Sequence, residues 1–205
     1  MNALYEELFK TPVQFRILEK RTKLLENWIS ELGLPELLSV AYKPLRHCER
    51  KRCFVNVEKT VKSSGGKALT GWIFNEFENR AIEAEAHCIW ITPTNKKWDI
   101  TPHEFQPKRV LFTPDPRVAT NRGYTAAPNL VLSNDSRLKA VYAFESIIDK
   151  IREERFSGFG KALIISQEEI TNAAANSNLP LDVAVYLVDK LQEAGDKAWA
   201  QYGSS

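Results

Sequence analysis

The spacing of apolar residues divides the chain into three stretches. Up to about residue 32, apolar side chains recur three, four and seven residues apart, which predicts amphipathic helices. Pro12 marks the first turn of the second of these helices, and Gly33 and Pro35 end it. The predicted apolar face of that helix consists of Phe15, Leu18, Leu25, Trp28, Ile29 and Leu32. The stretch is therefore expected to be helical throughout.

The middle stretch, from about Arg46 to about Thr113, mixes one helix with several strands. CFVNVEKTVKSS predicts a short helix that begins at Cys53 and ends at the Gly65–Gly66 pair, where glycine accepts a positive φ. KALTGWIF then predicts a strand, and AIEAEAHCIWI alternates in the period of two that a strand requires.

The last stretch returns to helix after a proline-rich segment that predicts a loop. One helix is expected from about Asp135 to about Arg155, and a second from a capping box formed by Ser166 and Glu169. A third follows Pro180. The pattern therefore predicts an α+β protein with an N-terminal helical segment (1–45), a core with its following loop (46–128) and a C-terminal helical segment (129–205).

Composition narrows the class of protein. The 205 residues are 43% hydrophobic and 26% charged, with a net charge of +2, which is ordinary for a globular chain and small for a general nucleic-acid binder. No stretch approaches the roughly 20 apolar residues of a membrane helix, and the first residues lack the apolar region of a secretion signal. Three cysteines favour a reducing compartment. We expect a cytoplasmic protein that binds no membrane.

Cys53 is the first candidate for chemistry. It opens a predicted helix, where the unpaired N–H groups and the helix dipole favour an anion. RHCERKR, just upstream, adds four positive charges against one negative charge. Both effects favour the thiolate, which is the reactive form of cysteine. A buried structural cysteine is the alternative.

His87 and Asp99 are the next candidates, because both lie on strands of one predicted hairpin. They share a face only if the register places His87 opposite Thr101 or His103. That register also gathers Trp98 and Ile100 with Ala86, Cys88 and Trp90 on one apolar face, a gain of several kcal/mol. We therefore expect it to turn His87 and Asp99 together toward the cysteine helix.

The order of these residues resembles the transglutaminase-like core, a circularly permuted relative of the papain-like cysteine hydrolases. The matching features are Cys53, Gly65–Gly66, Gly71–Trp72, His87 with Trp90, and Trp98–Asp99 with Thr101. The gaps of 34 residues from cysteine to histidine and 12 from histidine to aspartate suit that superfamily. EAEAHCIW, WDITP and RVLFTPDPR also resemble a bacterial branch of it. The match covers about 50 residues, roughly a quarter of the chain.

The resemblance implies a papain/transglutaminase-like fold, in which the helix bearing the cysteine packs on an antiparallel sheet. It also implies a catalytic triad of Cys53, His87 and Asp99 that hydrolyses or transfers an amide of a protein or peptide, without a cofactor or metal. The glutamine donor of papain-like enzymes is missing, and His47 is the candidate substitute for binding the oxyanion.

Six further residues are candidates for support of the site or for contact with substrate. Asn56, Trp90 and Trp98 are expected to support the triad. Glu83 and Glu85 either attract a cationic substrate or form a solvated strand face. Trp72 either walls the site or contacts substrate.

Three alternatives stay open. The soft ligands His47, Cys48, Cys53, His87, Cys88 and His103 are of the types that bind zinc, although their spacing fits no common zinc motif. The helices flanking Leu179–Pro180 have the outline of a helix-turn-helix, but LDVAVYLVDK lacks the residues that contact bases, which favours a core hairpin. The third alternative is a catalytically inactive transglutaminase-like scaffold that binds a protein partner.

Overall fold

A computed structural model of the chain describes residues 15–78, 80–118, 125–155 and 164–202, with side chains as far as residue 193. The chain divides into two compact units, Gln14–Asn121 and a second that joins Met1–Val13 to Arg122–Ser205. The fold is mixed α+β, as the sequence predicts. Among the described helices, none has both the length and the apolar character needed to cross a membrane.

The first unit holds six strands and two helices within its described residues. In chain order these are β1 (Phe15–Ile17), α1 (Lys23–Glu31), β2 (Leu38–Tyr42), α2 (Cys53–Ser64), β3 (Lys67–Phe77), β4 (Ala81–Ile91), β5 (Lys97–Asp99) and β6 (Arg109–Pro114). The predicted helix at Cys53 and the strands on either side of His87 are confirmed.

Five of these strands close into a barrel. The order β3–β6–β2–β5–β4 returns to its start because β3 also pairs with β4 along its whole length. The pairing is antiparallel except between β2 and β5, which run parallel. The expected antiparallel sheet is thus corrected to a mixed one, since a closed ring of five strands has an odd number of pairs and cannot be antiparallel at every one.

The N-terminal stretch is less helical than its apolar spacing predicts. Phe15–Ile17 is a strand that pairs with β3, and helix begins only at Lys23, where the Thr22 hydroxyl accepts a bond from Leu25 N–H. Apolar residues two apart around Arg16 satisfy a strand as well as a helix, and pairing with β3 decides between them. β1 and β2 therefore belong to the sheet, while the residues before 15 lie outside the described part of the chain.

Two apolar clusters lie on opposite faces of β4, because successive strand residues point to opposite sides. The barrel interior contains Ile17, Val40, Ile73, Ile89, Val110 and Phe112. The other cluster joins α2 to β4 and the residues around β5, and contains Cys48, Cys53, Val57, Cys88, Trp90 and Ile100. Helix α2 thus packs against the barrel wall.

The second unit contains β7 (Asn129–Val131), α3 (Ser136–Arg155), α4 (Gln167–Ser177) and α5 (Leu181–Tyr202). The capping box of Ser166 and Glu169 is present, and Asn178 ends α4 in the left-handed conformation. The three helices share one apolar cluster, in which Phe144, Ile170 and Leu187 are buried. The predicted helices and the core-hairpin interpretation of α4 and α5 are confirmed.

Candidate functional site

The register of β4 and β5 brings His87 and Asp99 together. Trp90 pairs with Trp98 and Ile91 with Lys97, so His87 and Asp99 lie on the same side of the hairpin. His87 Nε2 lies 3.0 Å from Asp99 Oδ1, a hydrogen-bond distance. The register expected from the burial of both tryptophans is therefore confirmed.

The position of α2 differs from the expectation. The body of the helix packs on the apolar residues Cys88, Trp90 and Ile100, and not on the face that carries His87. Only its first residue, Cys53, approaches the imidazole, with the thiol sulfur 4.0 Å from the carbonyl oxygen of Ala86. His87 therefore meets the helix at Cys53, while burial of the apolar face decides where the rest of the helix packs.

The ring of His87 lies between a carboxylate and a thiol. Its side chain is 2% exposed, and Nδ1 makes no hydrogen bond of standard geometry with any described residue. Burial alone would lower the pKa of His87, but the charges of Asp99 and Cys53 outweigh burial and hold that pKa well above its usual value. The imidazole is thus suited to carry a proton beside the Cys53 sulfur.

Asp99 is the most completely bonded group of the site. Its carboxylate is 0% exposed, and its Oδ1 also accepts the Thr101 N–H at 3.2 Å. Its Oδ2 lies 2.5 Å from Nε2 of His103. Burial opposes ionisation, but His87 and His103 outweigh it and lower the pKa of Asp99 far below the usual carboxyl value. Asp99 is therefore a fixed negative charge.

From the sequence, His103 is expected only as a possible strand partner of His87 or as a possible zinc ligand. Its proximity to Asp99 was missed because the turn after β5, and not a strand, carries it there. The available signal was the four-residue spacing of aspartate and histidine in WDITPH.

The two remaining cysteines lie in the apolar cluster around α2. Burial raises the pKa of Cys88 to about 12, and burial likewise raises the pKa of Cys48 above its usual value. Both thiols are therefore protonated and poorly reactive near neutral pH.

The start of α2 has the features of an anion site. Arg52 occupies the N-cap position and makes no side-chain capping hydrogen bond, and the first turn contains no acidic residue. The partial positive charge of the helix terminus is thus directed to Cys53 and its immediate surroundings.

The expected support residues take different positions. His47 contacts Thr60 at 3.2 Å, two helical turns from Cys53, so the structure does not place its ring where an oxyanion donor would lie. Asn56 does support the site, since its amide donates to the Thr101 hydroxyl at 3.2 Å. This bond fixes the turn whose N–H binds Asp99.

Trp90 and Trp98 pack edge to face, with ring centroids 5.6 Å apart. Trp90 Nε1 donates to the Gly65 carbonyl at 2.9 Å and so fixes the C-terminal end of α2. A side chain at Gly66 would lie 2.2 Å from the Ile91 carbonyl oxygen, which explains the glycine. Both tryptophans therefore hold the helix on the barrel.

The three candidates for substrate contact differ in exposure and in their hydrogen-bond partners. Glu85 is exposed on the side of β4 that carries His87, and it accepts a bond from Asn75 Nδ2 at 2.7 Å. Glu83 is half-buried two residues earlier. Trp72 is 1% exposed and donates to Asp115 Oδ2 at 2.8 Å, which fits a wall of the core.

The described residues bring one group of possible metal ligands together, namely His87, Asp99 and His103. The donor–acceptor distances of 3.0 and 2.5 Å fit hydrogen bonds. The arrangement is that of a hydrogen-bonded row of side chains.

Comparison of the chain with family models, with curated proteins and with solved structures finds no match. The resemblance to transglutaminase-like and papain-like hydrolases stays a prediction.

Proposed function

We propose that the protein is a cysteine-dependent hydrolase or acyltransferase acting on an amide bond of a protein or peptide, with Cys53, His87 and Asp99 as its triad. One observation carries the proposal. His87 is bonded to buried Asp99 through Nε2, while its buried Nδ1 makes no standard hydrogen bond with a described residue and lies beside the Cys53 thiol. A nucleophile next to an oriented base is the arrangement that thiol catalysis requires.

The chemistry follows from the position of each atom. His87 Nδ1 takes the thiol proton, and the Cys53 sulfur attacks the carbonyl carbon of the amide. The imidazolium then gives its proton to the leaving amine, which breaks the C–N bond and leaves a thioester. Water or a second amine resolves the thioester. Asp99 keeps Nε2 protonated and stabilises the imidazolium throughout.

Stabilisation of the oxyanion falls to α2. His47 lies too far along the helix to donate, whereas the uncapped first turn of α2 offers backbone N–H groups beside the Cys53 sulfur. Backbone donors at a helix terminus are preorganised for negative charge, and one such donor contributes roughly 3 kcal/mol to a transition state. We assign this role to the Cys53 N–H and its neighbours in the turn.

The test is selective labelling of the three thiols with iodoacetamide at pH 6, with each site quantified by mass spectrometry. Cys53 should react at least about tenfold faster than Cys88 or Cys48, because only Cys53 has a base beside it. Cys53→Ala should remove the fast phase, and the matched variant Cys88→Ala should keep it. Equal rates at the three cysteines, or a fast phase that survives in Cys53→Ala, would refute the proposal.

Burial favours a second candidate function, a catalytically inactive scaffold of the same fold that binds a protein partner. Cys53 is 8% exposed and His87 1%, so the triad is enclosed in this structure. A panel of peptide amides and esters separates the two candidates. Turnover that disappears in Cys53→Ala identifies an enzyme. Equal turnover by wild type and Cys53→Ala across the panel favours the scaffold.

A further inference from the structure

The row of bonded side chains does not end at Asp99. His87 and Thr101 occupy Oδ1, and His103 occupies Oδ2 at 2.5 Å, so both carboxylate oxygens are bound. A triad needs only the first of these contacts to orient its imidazole. The proposed reaction therefore gives the second imidazole no role.

His103 is itself held in place. Its backbone N–H donates to the Tyr42 hydroxyl at 3.1 Å, and its ring lies 5.4 Å from the Tyr42 ring between centroids. The ring of His87 lies 5.5 Å away on another side, inclined by 33°. The His103 side chain is 11% exposed, against 0% for Asp99. Strands β2 and β4 and the turn after β5 thus fix one imidazole against one carboxylate.

We infer that His103 is a positioning residue of the site, which acts through Asp99 and makes a fourth member of the row Cys53–His87–Asp99–His103. The inference rests on the proposed function. By donating to Oδ2, His103 prevents the carboxylate from rotating about its Cβ–Cγ bond. Oδ1 then stays in line with His87 Nε2, and Nδ1 stays directed to the thiol.

The physical consequence concerns the charge on His87. Asp99 is 0% exposed, and a buried carboxylate that loses one of its hydrogen-bond donors is less stable as an anion, because burial penalises the charged form. A weaker or misoriented anion stabilises the His87 imidazolium less, and the Cys53 thiolate loses its partner. Removal of His103 should therefore lower the reactivity of the Cys53 thiol, although His103 acts on it only through Asp99 and His87.

The experiment measures the rate of Cys53 alkylation between pH 5 and pH 9 in wild type, His103→Ala, His103→Gln and the control Glu104→Ala. His103→Ala should lower the rate at pH 6 about tenfold and move the midpoint of the profile up by about one pH unit. His103→Gln keeps an N–H donor and should recover most of the loss. Glu104→Ala changes the exposed neighbour and should match wild type.

The outcomes separate this inference from the proposed function. If wild-type Cys53 shows no fast phase, the proposed function fails. If wild type shows it and folded His103→Ala follows the same profile, only the role of His103 fails. A drop in His103→Ala that Gln does not rescue would indicate lost packing. A wild-type rate that a chelator lowers to the level of His103→Ala would indicate a metal. Both of these results overturn the inference.

A measurement on the wild type covers the case in which His103→Ala does not fold. In ¹⁵N-labelled protein, Nε2 of His103 should carry a slowly exchanging proton whose resonance shifts in Asp99→Asn. An unprotonated Nε2 would overturn the inference without any His103 variant.

Discussion

Two buried carboxylates in the barrel unit, Asp99 and Asp115, have similar burial and different partners. They are 0% and 1% exposed, and each binds donors through both oxygens. Asp115 binds the guanidinium of Arg117, with 2.8 Å between Oδ2 and one terminal nitrogen, and also the Trp72 indole. Asp99 binds the imidazoles of His87 and His103.

The chemistry of the partners separates a structural carboxylate from a candidate catalytic one. A guanidinium keeps its proton at every accessible pH, so the Asp115 pair stays charged and holds the end of β6. An imidazole, unlike a guanidinium, can pass its proton to a neighbouring group, so the charge beside Asp99 can change during a reaction. Burial alone therefore does not distinguish the two sites.

The largest expected difference lies in thiol reactivity. Asp99→Asn keeps the shape of the side chain but removes the charge that stabilises the His87 imidazolium. Alkylation of Cys53 at pH 6 should therefore slow by about one to two orders of magnitude, each tenfold corresponding to about 1.4 kcal/mol. Asp115→Asn should leave the rate within about twofold of wild type.

These rates are measured by mass spectrometry on folded protein, with circular dichroism as the control for structure. An equal effect of the two substitutions would show that Cys53 responds to general loosening of the barrel. The distinction between the two carboxylates would then be lost.

Much of this site could be predicted from the sequence, since its placement depends on local patterns. The alternation through His87, the helix at Cys53 and the aromatic pair Trp90–Trp98 suffice to fix the register that joins His87 to Asp99. A one-residue slip would divide the apolar residues between two faces, so one arrangement is strongly favoured.

The rest depends on contacts between distant segments, which no local pattern encodes. His103 reaches Asp99 through a turn fixed partly by Tyr42, 61 residues earlier in the chain. The strand at Phe15–Ile17 exists because it pairs with Asn75–Phe77. Closure of the barrel, with the parallel pair of β2 and β5, likewise depends on segments far apart in sequence.

The next effect in size is on stability, and it concerns Arg117. Arg117→Ala removes the bidentate partner of a buried carboxylate and should lower the free energy of unfolding by about 1–2 kcal/mol. The guanidinium is 65% exposed, so solvent screening keeps the loss below that of a fully buried pair. Urea denaturation measures it. A fall in Cys53 alkylation without a loss of stability would contradict the structural role.

The pH dependence of stability should also differ between the two sites. The pKa of each aspartate is lowered on folding, so each stabilises the fold above the ordinary carboxyl range and loses that contribution as the pH falls. The pKa of His87 is raised, so its contribution is complete below its ordinary value of 6.5 and is lost as the pH rises through the raised value.

The excess stability of wild type over Asp99→Asn should therefore shrink at both ends of the pH range, by at most about 1.4 kcal/mol per pH unit for each proton. The excess over Asp115→Asn should shrink only toward acid, because Arg117 does not titrate. Burial, with a smaller contribution from Asp99, raises the pKa of Cys48 and Cys88, and the loss of the Asp99 contribution in Asp99→Asn adds to the alkaline shrinkage for that variant. Urea midpoints from pH 3 to pH 10 give both curves, and an alkaline loss at Asp115 would contradict this account.

A loss of stability no larger than that of Arg117→Ala, and the smallest change in Cys53 reactivity, are expected of Trp72→Phe, which tests whether Asp115 depends on its indole partner. The substitution removes one donor to Oδ2 and leaves the Arg117 contacts in place, so one charge-assisted hydrogen bond and some ring volume are lost. We expect a loss of about 1–2 kcal/mol in the free energy of unfolding.

Trp72 pairs with Ala86, the residue before His87, so the same variant tests whether a change in the barrel wall at Trp72 affects the triad. Cys53 alkylation at pH 6 should stay within about twofold of wild type, because Asp99, His87 and His103 keep every hydrogen bond they make. If Cys53 alkylation slows in a Trp72→Phe variant of unchanged stability, Asp115 and its partners influence the triad, and the two carboxylates belong to one site.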